Sequence, residues 1–264
     1  MIIRFKVILV FLFATTLLNA QTKKAVDKKL GVSPKVKIGK LPNGLTYYIR
    51  KNVEPKNRAE LRLVVKAGSI LETEKQVGLA HFTEHMAFNG TKNFKKQELI
   101  DFLEKSGVNF GADLNAYTSF DETVYMLQLP TDSMTVFKKG FQILEDWAHN
   151  VSFENTEIDK ERGVVVEEWR LGQGANERLR SKYFPVILKG SQYANRLPIG
   201  TKENLDTFKY ETVKQFYKDW YRPDLQAGDG GMQGPSMEGE QDLLCHSSDR
   251  RVSMEQRREV EEER

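Results

Sequence analysis

The sequence has 264 residues but contains a single cysteine, Cys245, which lies in a polar C-terminal stretch. The residues before this stretch can therefore form neither a disulfide bond nor a zinc site with thiolate ligands. Any metal ion that they bind must be held by histidine and carboxylate side chains. Histidine is also scarce, with four residues in the whole chain. Two histidines at close spacing are for this reason an informative feature.

Long hydrophobic runs are missing after the first 20 residues, and so are stripes of positive charge. Hydrophobic residues make up 39% of the chain and charged residues 29%. This globular composition excludes collagen, wholesale disorder and a polytopic membrane protein. Residues 1–227 carry an excess of eight positive charges, but their Lys and Arg residues are scattered. We therefore expect no nucleic-acid partner.

The first 20 residues have the pattern of a secretory signal peptide. Arg4 and Lys6 precede an uncharged apolar stretch, residues 7–18, which is too short to span a bilayer. Ala20 offers a small residue at the cleavage point. We expect cleavage after Ala20, a secreted or periplasmic location, and no membrane attachment of the mature chain. The alternative is an uncleaved membrane anchor.

The pattern of apolar residues predicts strands, then helices, then strands and helices again. The predicted strands are 36–38, 45–49, 61–66, 109–117 and 123–129, and the predicted helices are 75–88, a segment around Leu99 ending at Gly107, 135–150 and 156–181. Asn43 and Gly44 predict a tight hairpin between the first two strands. A sheet with helices gathered over it is an α+β fold.

The composition changes abruptly at Gly228. Up to Ala227 the chain uses 25 Lys and 10 Arg, whereas the remainder has five Arg, no Lys and five glycines before residue 240. It also lacks apolar periodicity. We predict a folded domain over residues 35–227, preceded by an N-terminal segment, 21–34, and followed by a disordered or foreign tail, 228–264. An interaction tail is the alternative for residues 228–264.

Residues 81–85 read H-x-x-E-H and predict a metal site on a helix. Positions i and i+4 share one helix face, so His81 and His85 can reach one ion. Glu84 lies beside them with a carboxylate that is free to act as a base. This order of residues is the inverzincin signature of zinc peptidases. Histidine and carboxylate ligands favour zinc, although cobalt or manganese also suits them.

A catalytic zinc takes three protein ligands and keeps one position for water. The third ligand must come from another part of the chain. Residues 161–169 offer Glu161, Glu167 and Glu168 on a predicted helix, and the pattern by itself does not choose among them.

Taken together, these motifs resemble the pitrilysin/insulinase family of zinc metallopeptidases, which includes mitochondrial processing peptidase. The resemblance covers residues 35–227 and is carried by residues 78–86, 115–118, the pair at 161–162 with Glu168, and 197–200. It implies a mixed or antiparallel sheet with helices packed on it. It also implies one zinc ion per chain, Glu168 as the third ligand, and Glu161 as a carboxylate behind the ligands. Asn115 and Ala116 match the sheet edge to which a peptide substrate adds as a strand, although an ordinary strand turn is an equal alternative.

The function implied by the resemblance is a zinc metalloendopeptidase acting on peptides or unfolded protein, with Glu84 as the general base. Such enzymes are built from two or more homologous domains, so we expect a second homologous domain or a partner subunit. The resemblance also predicts a closing strand rich in Val and Ile after Ala227, where glycines stand instead. We therefore expect the domain to lack that strand. The alternative functions are an inactive fragment or a non-catalytic partner subunit of a longer peptidase.

Overall fold

The computed structural model describes residues 31–109 and 111–232. The predicted leader at residues 1–20, residues 21–30 and the stretch from residue 233 onward lie outside the described residues. Residues 31–34 contain no helix or strand, and the first strand begins at Val36. Among the described residues, no helix is long and apolar enough to cross a membrane.

Six strands form one mixed sheet in the described part of the chain. They are β1 (Val36–Lys40), β2 (Thr46–Lys51), β3 (Arg58–Val65), β4 (Leu114–Thr118), β5 (Thr123–Pro130) and β6 (Gln226–Met232). Their spatial order is β1-β2-β6-β3-β5-β4. The β2–β6 pair is parallel and the other neighbours are antiparallel. The first two strands form the predicted hairpin, in which Gly44 has a φ of 98°.

Seven helices accompany the sheet in the described residues. They are α1 (Leu79–Met86), α2 (Lys96–Lys105), α3 (Met134–His149), α4 (Asn155–Gly172), α5 (Ala175–Ile187), α6 (Lys202–Thr207) and α7 (Tyr210–Trp220). The predicted α+β class is confirmed. The continuous helix predicted over 156–181 is wrong, because the chain leaves helical geometry at Gln173 and Gly174 and starts again as α5. Glycine is a poor helix former, and Gly174 has an extended backbone.

The predicted absence of a closing strand after Ala227 is also wrong. β6 includes Gly228, Gly230 and Gly231 and lies between β2 and β3, in the middle of the sheet. Strand pairing uses main-chain N–H and C=O groups, which glycine provides as other residues do. The boundary predicted at residue 228 therefore falls inside a strand, and the described fold extends to Met232.

The hydrophobic core lies between the sheet and the helices. On β3, Leu61, Leu63 and Val65 are buried while Glu60 and Arg62 are exposed, as the predicted alternation requires. The core continues into the helix that carries the H-x-x-E-H motif, since the apolar residues of α1 with fully buried side chains are Leu79, Ala80, Phe82 and Met86. Burial of this apolar face fixes which way the opposite face points.

Candidate metal centre

The two histidines of the motif lie one turn apart on α1 with their rings edge to face. Their Nε2 atoms are 3.2 Å apart. The side chain of His81 is 13% exposed and that of His85 is 21% exposed. Both imidazoles therefore present a nitrogen to the same partly open point.

Glu168 reaches this point from α4, which packs against α1. Its Oε1 lies 3.6 Å from Nε2 of His81, and its Oε2 lies 3.4 Å from Nε2 of His85. The three residues offer ligand atoms that all lie within 4.8 Å of one another. Glu167 is directed elsewhere, because both its carboxylate oxygens accept hydrogen bonds from the guanidinium of Arg170 at the surface. Glu168, and not Glu167, thus lies beside the two histidines.

The spacing of these atoms suits zinc. Two ligands on a tetrahedral zinc ion, with bonds of about 2.0–2.2 Å, lie about 3.4 Å apart. The two Nε2 atoms, 3.2 Å apart, agree with that value, and each of them has a different oxygen of Glu168 at a similar distance, 3.6 Å for His81 and 3.4 Å for His85. Two imidazoles and one carboxylate are also the ligand set of many catalytic zinc sites, which leave one position open.

Glu161 lies on α4, two helical turns before Glu168, and contacts His85. Its Oε1 is 2.7 Å from Nδ1 of His85, so the carboxylate fixes this ring with Nε2 toward Glu168. Asn89 donates from Nδ2 to the other oxygen of Glu161 at 2.7 Å and to the carbonyl oxygen of His85 at 3.0 Å. Glu161 is 7% exposed. This buried network orients one of the two histidines.

The two imidazoles differ in their proton affinity. Burial and the neighbouring His85 lower the pKa of His81 to about 4. Burial also acts to lower the pKa of His85, but hydrogen bonds with Glu161 and Glu168 outweigh it and raise this pKa to about 9. The lowered pKa favours the neutral form of His81, which is the form in which imidazole binds a metal.

Glu84 lies beside the metal centre but outside it, and is 8% exposed. Thr118 at the end of β4 donates from Oγ1 to its Oε2 at 2.6 Å. Burial raises the pKa of Glu84, and the hydrogen bond from Thr118 opposes that rise. A buried carboxylate with a raised pKa has the properties of a general base.

The strand that carries Thr118 is an edge strand of the described sheet. β4 pairs with β5 on one side, where Gln128 donates its N–H to the carbonyl of Asp113. Because hydrogen-bonded pairs alternate in antiparallel strands, the main-chain groups of Ala116 and Thr118 point away from β5. Asn115 accepts the N–H of Ala116 on its own Oδ1 at 2.9 Å. The hydrogen bond from Thr118 to Glu84 thus links this open edge strand to the motif helix.

Comparison with known proteins identifies the family. A family model described as insulinase, peptidase family M16, matches residues 47–184. The chain belongs to the insulinase family. The resemblance read from the motifs is confirmed.

This chain matches less than half of the length of each of three relatives in the insulinase family. The probable zinc protease PqqL of Haemophilus influenzae is 40% identical over 215 residues, which are 81% of this chain and 23% of that protein. The beta subunit of the mitochondrial-processing peptidase of Blastocladiella emersonii is 32% identical over 194 residues, 72% of this chain and 39% of that subunit. The crystal structure of the first half of the periplasmic protease PqqL from Escherichia coli aligns with a TM-score of 0.78 at 36% identity. It covers 84% of this chain and 49% of that one.

Two residues of this insulinase-family site were not singled out from the sequence as functional. Asn89 directly follows the predicted helix 75–88, and Thr118 lies in the range 115–118 that carries the family resemblance. Each makes its key contact with a residue far away in the chain, Asn89 with Glu161 and Thr118 with Glu84. The appearance of Thr118 in a family motif was the one signal that could have indicated its role.

Proposed function

We propose that this chain is the zinc-binding domain of a metalloendopeptidase that hydrolyses peptide bonds. The observation that carries the proposal is the convergence of His81, His85 and Glu168, from two helices, at separations that suit one zinc ion. The relatives in the insulinase family are named as zinc proteases and processing peptidases. We propose one ion per chain, because the described residues contain one such cluster.

Zinc in this position supplies a Lewis acid for the attacking water and the scissile carbonyl. Glu84 accepts a proton from that water and delivers it to the nitrogen of the leaving amine. Thr118 holds the carboxylate of Glu84 by donating to one of its oxygens, which leaves the other oxygen for the proton. Glu161 keeps the imidazole of His85 in one orientation.

The open edge of β4 is the proposed binding place for the peptide. A substrate in extended conformation can add to it as a strand, bonding to outward-facing main-chain groups of Ala116 in place of Asn115. Such binding reads main-chain groups, so we expect weak sequence selection and a preference for unfolded segments. The bond between Thr118 and Glu84 brings this edge next to the base.

We also propose an extracytoplasmic location and a need for a second homologous domain or partner subunit. The leader sequence supports export, and one structural relative is described as a periplasmic protease. The chain spans 23% of the length of PqqL from Haemophilus influenzae. A zinc-binding domain that hydrolyses nothing by itself is the second candidate, and this short coverage is what favours it.

Metal content tests the proposal directly. The protein from residue 21 onward, purified without chelator, is expected to contain about one zinc ion per chain. Glu168→Gln should weaken zinc binding by at least about 100-fold, since it removes a ligand and not just an outer partner. Glu167→Gln is the matched control and should keep wild-type affinity, because Glu167 bonds to Arg170 at the surface. Absence of zinc from the wild-type chain, or wild-type affinity in Glu168→Gln, contradicts the proposed site.

A further inference from the structure

A buried carboxylate outside the metal centre holds the start of the motif helix. Glu72 is 1% exposed. Its Oε2 accepts the N–H of Gly78 at 3.0 Å and its Oε1 accepts the N–H of Ala80 at 2.8 Å. The first N–H groups of a helix have no partner within the helix, and Glu72 satisfies two of them from six and eight residues away. The second of these groups belongs to the residue immediately before His81.

The same helix start is held from the other side by the segment at residues 197–204. Gly78 has a φ of 92° and Gly200 a φ of 73°, and their backbones touch. A Cβ atom added to Gly200 would lie 2.5 Å from Cα of Gly78. Asn204 donates from Nδ2 to the carbonyl of Val77 at 2.6 Å. This contact gives a role to the motif at 197–200, which the proposed chemistry does not use.

Arg196 joins the two supports. It is 5% exposed, and its Nε donates to the carbonyl oxygen of Glu72 at 3.0 Å. Its carbonyl in turn accepts the hydroxyl of Ser69 at 2.6 Å. Segments separated by more than 120 residues in the chain are thereby fastened to each other just before α1. We call Glu72, Gly78, Arg196, Gly200 and Asn204 the helix brace.

His81 depends on this brace more than His85 does. The Nδ1 atom of His85 is held by Glu161, whereas Nδ1 of His81 is buried without a hydrogen-bond partner among the described residues. With no side chain fixing its ring at Nδ1, the direction of His81 is set by the backbone of the first turn of α1 and by packing. Glu72 accepts hydrogen bonds from N–H groups at the start of this turn.

We infer that Glu72 is a positioning residue for the metal centre, holding the first turn of α1 so that His81 meets His85 and Glu168 at ligand spacing. This inference rests on the proposed function, because it assumes that these three residues bind zinc. Part of the zinc affinity therefore depends on Glu72 and the helix brace. Substitution of a side chain that contributes only to the overall stability of the fold would leave the zinc affinity unchanged.

The test is zinc affinity of the protein from residue 21 onward, measured by competition with a chelating dye. Glu72→Gln replaces one acceptor oxygen by an NH₂ group that cannot accept from a helix N–H. We expect its zinc dissociation constant to rise by at least about tenfold, the lower end for loss of a supporting partner. All measurements are made at a temperature where far-UV circular dichroism shows the variants folded. Loss of global stability alone then leaves the affinity unchanged.

Leu129→Ala is the matched control. Leu129 is fully buried at the opposite end of β5 from Thr123 and packs against Gly140 of α3. Its truncation lowers the melting temperature but should leave zinc affinity at the wild-type value. If Glu72→Gln does not fold, Asn204→Ala, which removes the bond to Val77, is expected to change affinity in the same direction.

The outcomes distinguish failure of the role inferred for Glu72 from failure of the proposed function. Tight zinc binding by the wild type together with wild-type affinity in folded Glu72→Gln overturns the role of Glu72 and leaves the proposed function standing. Equal weakening in Leu129→Ala overturns it as well, since the effect would then follow stability. A wild-type chain that binds no zinc overturns the proposed function and this inference together.

Discussion

Glu84 occupies a position that suits a base better than a ligand. It is buried, it bonds to Thr118, and it does not belong to the cluster formed by His81, His85 and Glu168. Substitution at Glu84 should therefore separate metal binding from chemistry, whereas substitution of a ligand should remove both.

We expect Glu84→Gln to keep zinc at the wild-type ratio and to lower peptide turnover by about 100-fold or more, the usual contribution of a general base. Zinc is measured by elemental analysis and turnover with a fluorogenic peptide, under conditions in which the wild type is active. Glu167→Gln, a carboxylate exposed on α4, should match the wild type in both. Wild-type turnover by Glu84→Gln would show that another group accepts the proton.

The residues of the site differ in how far the sequence could predict them. The placement of His81, Glu84 and His85 follows from helix spacing, which is local. The pairing of Glu161 with His85 spans 76 positions in the chain and could be predicted only through the family resemblance. The contacts of Asn89 depend on the packing of α4 against α1, which no local pattern contains.

At the scale of the elements, β6 is a strand that the pattern of residues does not predict. Strand prediction relies on β-branched and aromatic residues, and the stretch from Gly228 to Met232 has none. The strand nevertheless forms because neighbours on both sides, β2 and β3, supply hydrogen bonds to its main chain. The strands with alternating apolar residues, such as β3, were predicted within a few positions.

Alanine substitution should stabilise the fold at Gly230 and destabilise it at Gly200. In Gly230→Ala the new Cβ would lie 3.8 Å from Leu61, an ordinary contact. We expect stabilisation by about 0.4–1 kcal/mol, because alanine reduces the freedom of the unfolded chain. This corresponds to a melting temperature higher by about 1–4 °C for a domain of this size.

Gly200→Ala is the counterpart and should destabilise the fold by more than about 1 kcal/mol, since Gly200 has a positive φ and touches Gly78. Thermal denaturation of both variants beside the wild type measures the difference. A lower melting temperature for Gly230→Ala would mean that β6 does not have room for side chains in the sheet.

At the scale of the whole molecule, the candidate metal centre is open to solvent. The side chain of Glu168 is 50% exposed, and one edge of β4 has no strand beside it in the described structure. Peptidase chemistry gains from exclusion of water around the reacting groups. If the proposed zinc site is correct, we expect this domain to turn over peptides slowly until another domain covers the site.

Mixing this chain with the remaining part of a relative tests this expectation. The partner is the part of PqqL from Haemophilus influenzae that lies outside the segment matched by this chain. We expect the mixture to hydrolyse an extended peptide at least about tenfold faster than either fragment, because a second domain confines the substrate beside the zinc. Gel filtration should show the two fragments eluting together.

Glu84→Gln in this chain is the control for the source of the activity. The mixture made with this variant should be inactive while still eluting as one species. This chain supplies the base, and the PqqL fragment only confines the substrate. Full activity of the wild-type chain alone would contradict the need for a partner. Activity of the mixture made with Glu84→Gln would place the catalytic base in the PqqL fragment.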